Sequence, residues 1–384
     1  MLFTIEALDA SEGDCLILHH GTAAHPAFVL IDGGPARTYN RSLLPRLRQL
    51  RAALGLAPRE PLPLGLVVLT HVDDDHIAGL LKLFEAISDA RDEKQPAITR
   101  VAELWHNSFD DALGNDQIAA AVAFLEKLPL DDRDGAVAGT RQGRALRDLA
   151  RRLEVRVNAP FRGLVARPDD AAIVVDHEDV RLTVLGPSRS ELDAYQARWD
   201  EDLSSGKGGE VAAADRDDSP FNLASIVLLV ERAGRRVLLT GDGLADHILA
   251  GLTAAGHLGE RGRFHVDVFK LPHHGSCCNV TPELLRRVTA DTYIISANGK
   301  HGNPDVASLD MLAEARGDAA YTVMLTFPEA AYEDVDAERE PERRAALEAI
   351  HDRLASYPGA NARIVYRRRN ELGVRVELGD EAAP

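Results

Sequence analysis

Apolar and polar residues alternate with a period of two over Phe3–Ala7, Cys15–His19 and Ala27–Ile31, which predicts three short strands in an opening β-meander. Helical spacing follows over Ser42–Leu54, then a Pro- and Leu-rich link over 57–64, and the apolar run Leu66–Leu69 predicts a buried strand. Apolar positions recur at helical intervals over Ile77–Ile87. Val101–Trp105 reads as a strand, 116–153 as a charged helical region, and Val155–Val165 and Ala172–Leu185 as strand-like segments. The second half predicts a helix over Ser188–Trp199, a hairpin of Ser225–Val230 with Arg236–Leu239, a helix over Leu244–Ala254 and a strand over Phe264–Leu271. A helix over Pro282–Val288, strands over Thr292–Ser296 and Tyr321–Phe327, a helix over Pro341–Leu354 and a closing hairpin of Ala362–Arg367 with Gly373–Leu378 complete the pattern. Strand runs separated by helices, with polar clusters at the strand ends, imply a layered α/β sandwich.

Composition changes this picture little. The chain has 384 residues, 45% hydrophobic and 27% charged, which suits a folded protein with a substantial core. Charge is more informative, because a formal −17 argues against a protein that coats nucleic-acid backbone, yet leaves room for a small anionic substrate held locally by metal ions. Three cysteines, Cys15, Cys277 and Cys278, build no disulfide framework, so a reducing, cytoplasmic location is expected. No signal peptide and no membrane span are expected from the sequence.

The candidate chemistry is concentrated in Thr70-His71-Val72-Asp73-Asp74-Asp75-His76, where a buried strand hands over to a helix. Carboxylates and imidazoles at such density need a cation among them, and a divalent metal is the simplest answer. Alternate positions of an extended turn let His71, Asp73 and Asp75 converge, with His76 turning inward and Asp74 pointing away. A mixed His and carboxylate set without thiolate suits zinc, manganese or iron. The plain alternative is a helix start decorated with acidic caps. Two further strand ends carry similar groups, Asp242 after Thr240-Gly241 and His273-His274 after Pro272.

Taken together, His71-x-Asp73-x-Asp75-His76, Thr240-Gly241-Asp242 and Pro272-His273-His274-Gly275-Ser276 resemble the metallo-β-lactamase fold superfamily, and within it the soluble hydrolase domain of ComEC-type DNA-uptake proteins and their stand-alone relatives. Gly13-Asp14, Ile31-Asp32-Gly33-Gly34, Asn222 with Ser225, and Ser296 to Pro304 support the resemblance, which spans about residues 1 to 305. It implies a four-layer αββα sandwich in which His71 and Asp73 hold one metal, Asp75 and His76 a second, Asp242 bridges them, and His273 or His274 completes the second site. Asp73 stands where most members have histidine. The remaining superfamily histidine appears as Asn222, with His106 as its rival.

The resemblance further implies a metal-dependent hydrolase with one or two divalent ions, zinc or manganese, whose activated water attacks the substrate. Asp75 or Asp242 would orient that water, and the spare histidine of the pair, such as His274, would protonate a leaving group. Ser276, Lys300, His301 and Asn303, with Asn222, would contact the substrate. A phosphodiesterase acting on nucleic acid or on small or cyclic nucleotides is the leading expectation, with an accessory protein partner as one way to supply a basic surface and without a membrane. Hydrolysis of an ester, thioester or lactam is the catalytic alternative within the fold, and a non-catalytic binding module that keeps the fold with a degraded metal site is the alternative of a different class. One domain over 1–384 is expected, with a helical insertion at about 109–153, a mobile loop at 201–220 and a C-terminal extension at about 305–384.

Overall fold

A computed structural model describes residues 1–107, 136–161, 163–194, 224–358 and 361–384. The opening meander forms as expected from β1 (Thr4–Leu8), β2 (Leu16–Gly21) and β3 (Pro26–Ile31), paired antiparallel. Beyond it the chain adds β4 (Leu62–Leu64), β5 (Leu66–Val68), helix α2 (Asp74–Asp92), β6 (Thr99–Val101), β7 (Glu103–Trp105), helix α3 (Ala136–Arg152) and β8 (Arg156–Val157), with helix α1 (Leu44–Ala53) between β3 and β4. The second half runs β9 (Ile173–His177), β10 (Val180–Gly186), β11 (Val227–Arg232), β12 (Arg235–Leu239), α4 (Ala245–Ala254), β13 (Phe264–Lys270), α5 (Pro282–Arg287) and β14 (Val288–Ile295). It closes with α6 (Val306–Arg316), β15 (Tyr321–Leu325), α7 (Pro341–Ala355), β16 (Ala362–Tyr366) and β17 (Gly373–Glu377).

Two large sheets result, one in the order β17-β1-β2-β3-β5-β7-β8 and one in the order β16-β15-β14-β13-β12-β11-β10-β9. Strand alternation assigns each residue to a layer. Ile5, Leu16, Leu18, Val29, Ile31, Leu66 and Val68 face inward and meet Leu182, Val184, Leu228, Val230, Val237, Val268 and Ile294 of the other sheet. The alternate positions Ile17, Phe28, Leu30 and Val67 face outward against Leu47, Leu50, Ile77, Leu80 and Leu83 of the helices. On the far side Leu229, Leu238, Phe269 and Tyr293 are covered by Ile248, Leu252, Leu284, Leu309 and Leu347. This is the expected αββα order. No helix among the described residues is long and apolar enough to cross a membrane.

Several local expectations need correction. The last two strands do not form a hairpin: β16 pairs parallel with β15, whereas β17 crosses to the other sheet and pairs antiparallel with β1. Ala172–Leu185 is two strands rather than one, because Glu178 adopts φ 53° and turns β9 back on β10. The strand expected over Val155–Val165 is reduced to the two residues of β8, and α6 carries a helix that the apolar pattern does not announce. The link over 57–64 ends in β4, paired with β6. The Ser188–Trp199 helix is present over 189–194, and its remainder, the loop at 201–220 and most of the 109–153 insertion lie outside the described residues.

Strand direction positions the site. β3, β5 and β7 run parallel, and so do β12, β13 and β14, so the carboxyl ends of three strands in each sheet lie at a common edge. Ligands of parallel α/β sheets collect at such ends. Asp32 and His71 follow β3 and β5, while Asp242, His273 and Ser296 follow β12, β13 and β14.

Candidate metal centre

The N-terminus of α2 is built on close backbone packing. A Cβ on Gly33 would lie 2.2 Å from the Leu80 amide nitrogen, and one on Gly79 would lie 1.9 Å from the Gly33 carbonyl oxygen, so only glycines let the turn after β3 rest on this helix. Asp73 occupies the N-cap position but makes no side-chain cap hydrogen bond, and its carboxylate instead lies 3.5 Å from His71 Nε2. That contact sets aside the reading of the stretch as simple helix capping. Asp74 points away, accepting from Gln142 Nε2 at 2.8 Å.

Asp242 is the hub. Its Oδ1 lies 3.4 Å from His76 Nε2, and its Oδ2 lies 3.6 Å from His71 Nε2 and 3.7 Å from both His273 Nε2 and His274 Nε2. His274 Nε2 is also 3.3 Å from Asp75 Oδ2, and His76 Nε2 is 3.9 Å from Asp75 Oδ1. These separations exceed ordinary hydrogen bonds. They approach the edge of a tetrahedron of donors around one ion, roughly 3.3 Å for metal bonds near 2.0 Å. The donor atoms of His71, His76 and Asp242 converge as one group, and those of Asp75, His76 and His274 as another.

Each imidazole is held by its other nitrogen, which fixes the tautomer. The single Thr70 hydroxyl proton goes to Asp32 Oδ2 at 2.7 Å, so Thr70 Oγ1 accepts from His71 Nδ1 at 3.0 Å. His76 Nδ1 donates to Asp32 Oδ2 at 2.9 Å, and His274 Nδ1 donates to the Ser296 carbonyl at 2.9 Å. Asn279 gives its amide N–H to the Asp242 carbonyl at 2.9 Å, which leaves its oxygen to accept from His273 Nδ1 at 2.8 Å. All four Nε2 lone pairs are therefore directed at Asp242. Those of His71, His76 and His274 are buried without a hydrogen-bond partner, as is Asp242 Oδ1. Buried polar atoms left in this state are costly, and a cation among them removes the cost. The residues fit a divalent metal.

Electrostatics point the same way. Burial pulls the His274 imidazole down, but the carboxylates of Asp242, Asp14 and Asp75 outweigh it and push the pKa up to about 10. For His76 burial acts in the same direction and is overcome by Asp242, Asp75 and Asp32, so its pKa is raised too. The Asp75 and Asp242 carboxyls are held low against burial, chiefly by His76. Negative charge is in surplus at this edge.

Three supporting residues, Asp32, Asp14 and Lys270, stand behind the donors. Asp32, in a left-handed conformation at φ 56°, accepts from the Thr70 amide as well as from its hydroxyl and from His76. Asp14, fully buried, takes the Lys270 ammonium at 2.7 Å and lies 3.6 Å from His274 Nδ1. The Ser296 carbonyl at 2.9 Å is the closer partner of that nitrogen and is its hydrogen-bond acceptor. Lys270 had a visible signal, a lone ammonium between Phe269 and Leu271 in a buried strand.

The other expected site residues separate. Ser276 is buried and caps the ligand turn through its backbone, donating to the His273 carbonyl at 2.8 Å. Asn303 is also buried and directs its amide to the same carbonyl at 3.4 Å. Lys300 is half-exposed and reaches Glu12 Oε1 at 2.9 Å, and His301 is exposed with φ 58°. His106 is buried beyond β7, its backbone paired with the Asn158 side chain, and it is not in the converging donor groups of the described residues. Asn222 lies outside the described residues.

Residues 27–148 match the family model of the metallo-beta-lactamase superfamily, a segment that carries His71 to His76. No curated protein matches the chain. The two-sheet sandwich is consistent with the α/β sandwich of that superfamily, whose members are mostly hydrolases.

Proposed function

We propose that this protein is a metal-dependent phosphodiesterase acting on nucleic acid or nucleotides, with Asp242 shared between two ligand groups. The observation that carries the metal reading is the set of four imidazoles with fixed tautomers, all directing Nε2 at one carboxylate. We assign His71, Asp73 and Asp242 to the first ion and Asp75, His76, His274 and Asp242 to the second, with His76 Nε2 also lying in the group of His71 and Asp242. An oxygen-rich first group suits manganese as well as zinc. The order of the motifs and the carboxylate at position 73 support a relation to ComEC-type hydrolase domains, and Lys300 near the same edge supports an anionic substrate.

Bound divalent ions would supply a lowered pKa for water and polarisation of the attacked oxygen. The chain does the rest. Asp75 and Asp242 accept hydrogen bonds from the attacking water and orient it. His274 is buried between these carboxylates and serves as a ligand, whereas His273 is 15% exposed and faces the open side. His273 is thus the histidine placed to give a proton to the leaving oxygen. Asn279 holds its Nδ1–H and so fixes the orientation of the ring.

The test is hydrolysis by purified protein supplied with manganese or zinc. Bis-p-nitrophenyl phosphate, single-stranded DNA and cyclic nucleotides left intact would sink this reading. Turnover of nitrocefin, lactones or thioesters in the same assay would transfer the site to acyl chemistry, and failure to retain any metal would mark a binding module.

A further inference from the structure

A second charged cluster lies beside the metal centre on the loop between β1 and β2. Glu12, only 8% exposed, accepts from Lys300 Nζ at 2.9 Å on Oε1, and from Asn298 Nδ2 at 3.1 Å and the Arg37 guanidinium on Oε2. Arg37 is fixed further by donating Nε to Ser11 Oγ at 3.1 Å. Burial alone would push the Glu12 carboxyl up, yet Lys300 and Arg37 hold it below its ordinary value, so it stays charged as their anchor.

The cluster is tied to the ligand loop by its neighbour. A Cβ on Gly13 would lie 1.8 Å from the Asp75 carbonyl oxygen, and the Gly13 carbonyl accepts from Ser296 Oγ at 2.6 Å. Glu12 therefore stands one peptide, about 3.8 Å, from a residue in contact with Asp75. Two cations share one carboxylate, leaving a positive surplus at this rim in a chain of formal charge −17. Both remain open to solvent, Arg37 at 52% and Lys300 at 45% exposure. Arg343 lies at the same rim, donating Nε to the Asn298 carbonyl at 3.1 Å, but it is paired with Glu340 at 2.9 Å and adds nothing to this surplus.

We propose that Arg37 and Lys300, held side by side by Glu12, bind a second phosphate of the substrate, so that the preferred substrate is an oligonucleotide strand rather than a lone phosphodiester. This rests on the phosphodiesterase reading. The two cationic heads contact different oxygens of one carboxylate, so a phosphate arriving from solvent meets both, with the guanidinium offering paired N–H donors and the ammonium a point charge. Anchoring beforehand lowers the ordering cost of binding. A purely structural ion pair would tie the same loops together but would not distinguish substrates by their number of phosphates.

The test uses the full, metal-loaded chain with a fluorescein-labelled ten-nucleotide oligothymidylate and bis-p-nitrophenyl phosphate as probes. Arg37→Gln is expected to raise KM for the oligonucleotide about tenfold more than KM for bis-p-nitrophenyl phosphate, and to reduce the slope of log affinity against log salt by about 1. Arg286→Gln, an exposed arginine paired with Glu283 on α5, is the control and leaves both values where they are. Equal changes for the two probes, or an unaltered salt slope, overturn the second-phosphate site and leave the phosphodiesterase reading standing. If wild-type protein cleaves neither probe, that reading fails, and fluorescence anisotropy of the bound oligonucleotide decides this site alone. Weaker binding by Arg37→Gln with a reduced slope supports it, and an equal Kd overturns it.

Discussion

Lys270 Nζ, at the end of β13, lies 2.7 Å from Oδ2 of Asp14 on the loop between β1 and β2, with both side chains buried. Burial pushes the Asp14 carboxyl up, but the Lys270 ammonium together with His274 and His76 outweighs it and holds the carboxyl low. A buried pair of this kind adds little stability over an apolar pair, but breaking it strands a charge. Lys270→Met is therefore expected to cost about 3–5 kcal/mol in urea unfolding, and Lys270→Met with Asp14→Leu to recover most of that loss. A single variant as stable as wild type would show that water reaches the pair.

Asp32 decides which nitrogen of His76 carries the proton. Asp32→Asn replaces an acceptor by a group that can present N–H to Nδ1, which favours the tautomer with Nε2 protonated. Metal affinity measured by calorimetric titration should fall by about 10- to 100-fold. Unchanged affinity would mean that the ring is oriented by other contacts.

The metal-free protein should lose stability on the alkaline side. With its pKa raised to about 10, the His274 imidazolium contributes stability that is fully present below the ordinary histidine range near 6.5 and is lost as pH rises through about 10. Metal binding must displace this proton, so apparent metal affinity should rise with pH over the same window. Proton release on metal addition, followed with a pH indicator, checks the sign directly, and proton uptake would contradict it.

Gly13 has no room for a side chain. Gly13→Ala would drive a methyl group into the Asp75 carbonyl, and overpacking of this kind costs about 1–3 kcal/mol. Because the displaced atom belongs to a proposed ligand residue, retained metal measured by mass spectrometry should fall along with the melting temperature. A stable, fully metallated Gly13→Ala would show that the loop yields without moving Asp75.

Much of the sandwich was readable because its strands alternate: Leu16, Leu18, Val29 and Ile31 already mark one face of the first sheet, and all seven expected ligand residues gather at one edge. What escaped was long-range pairing. Nothing in Gly373–Glu377 says that it pairs with β1 instead of the strand just before it, since either partner satisfies the same backbone and the same alternation. The α6 helix escaped for a related reason: Leu309, Leu312 and Ala313 are buried but give too short an apolar stripe to stand out. Gly13-Asp14 and Ile31-Asp32-Gly33-Gly34 support the resemblance in the sequence, and only the fold reveals which imidazoles Asp14 and Asp32 meet.

The proposed ligands are split between the two halves of the chain, with His71, Asp73, Asp75 and His76 following β5 and Asp242, His273 and His274 following β12 and β13. An ion held here is a rivet between segments distant in sequence, and closing so long a loop removes more disorder from the unfolded chain than a local site would. It also makes the ion an inspector of assembly. A chain with only its first half folded offers His71 and His76 but no Asp242 between them, so only a molecule with both sheets seated against each other acquires the means to act.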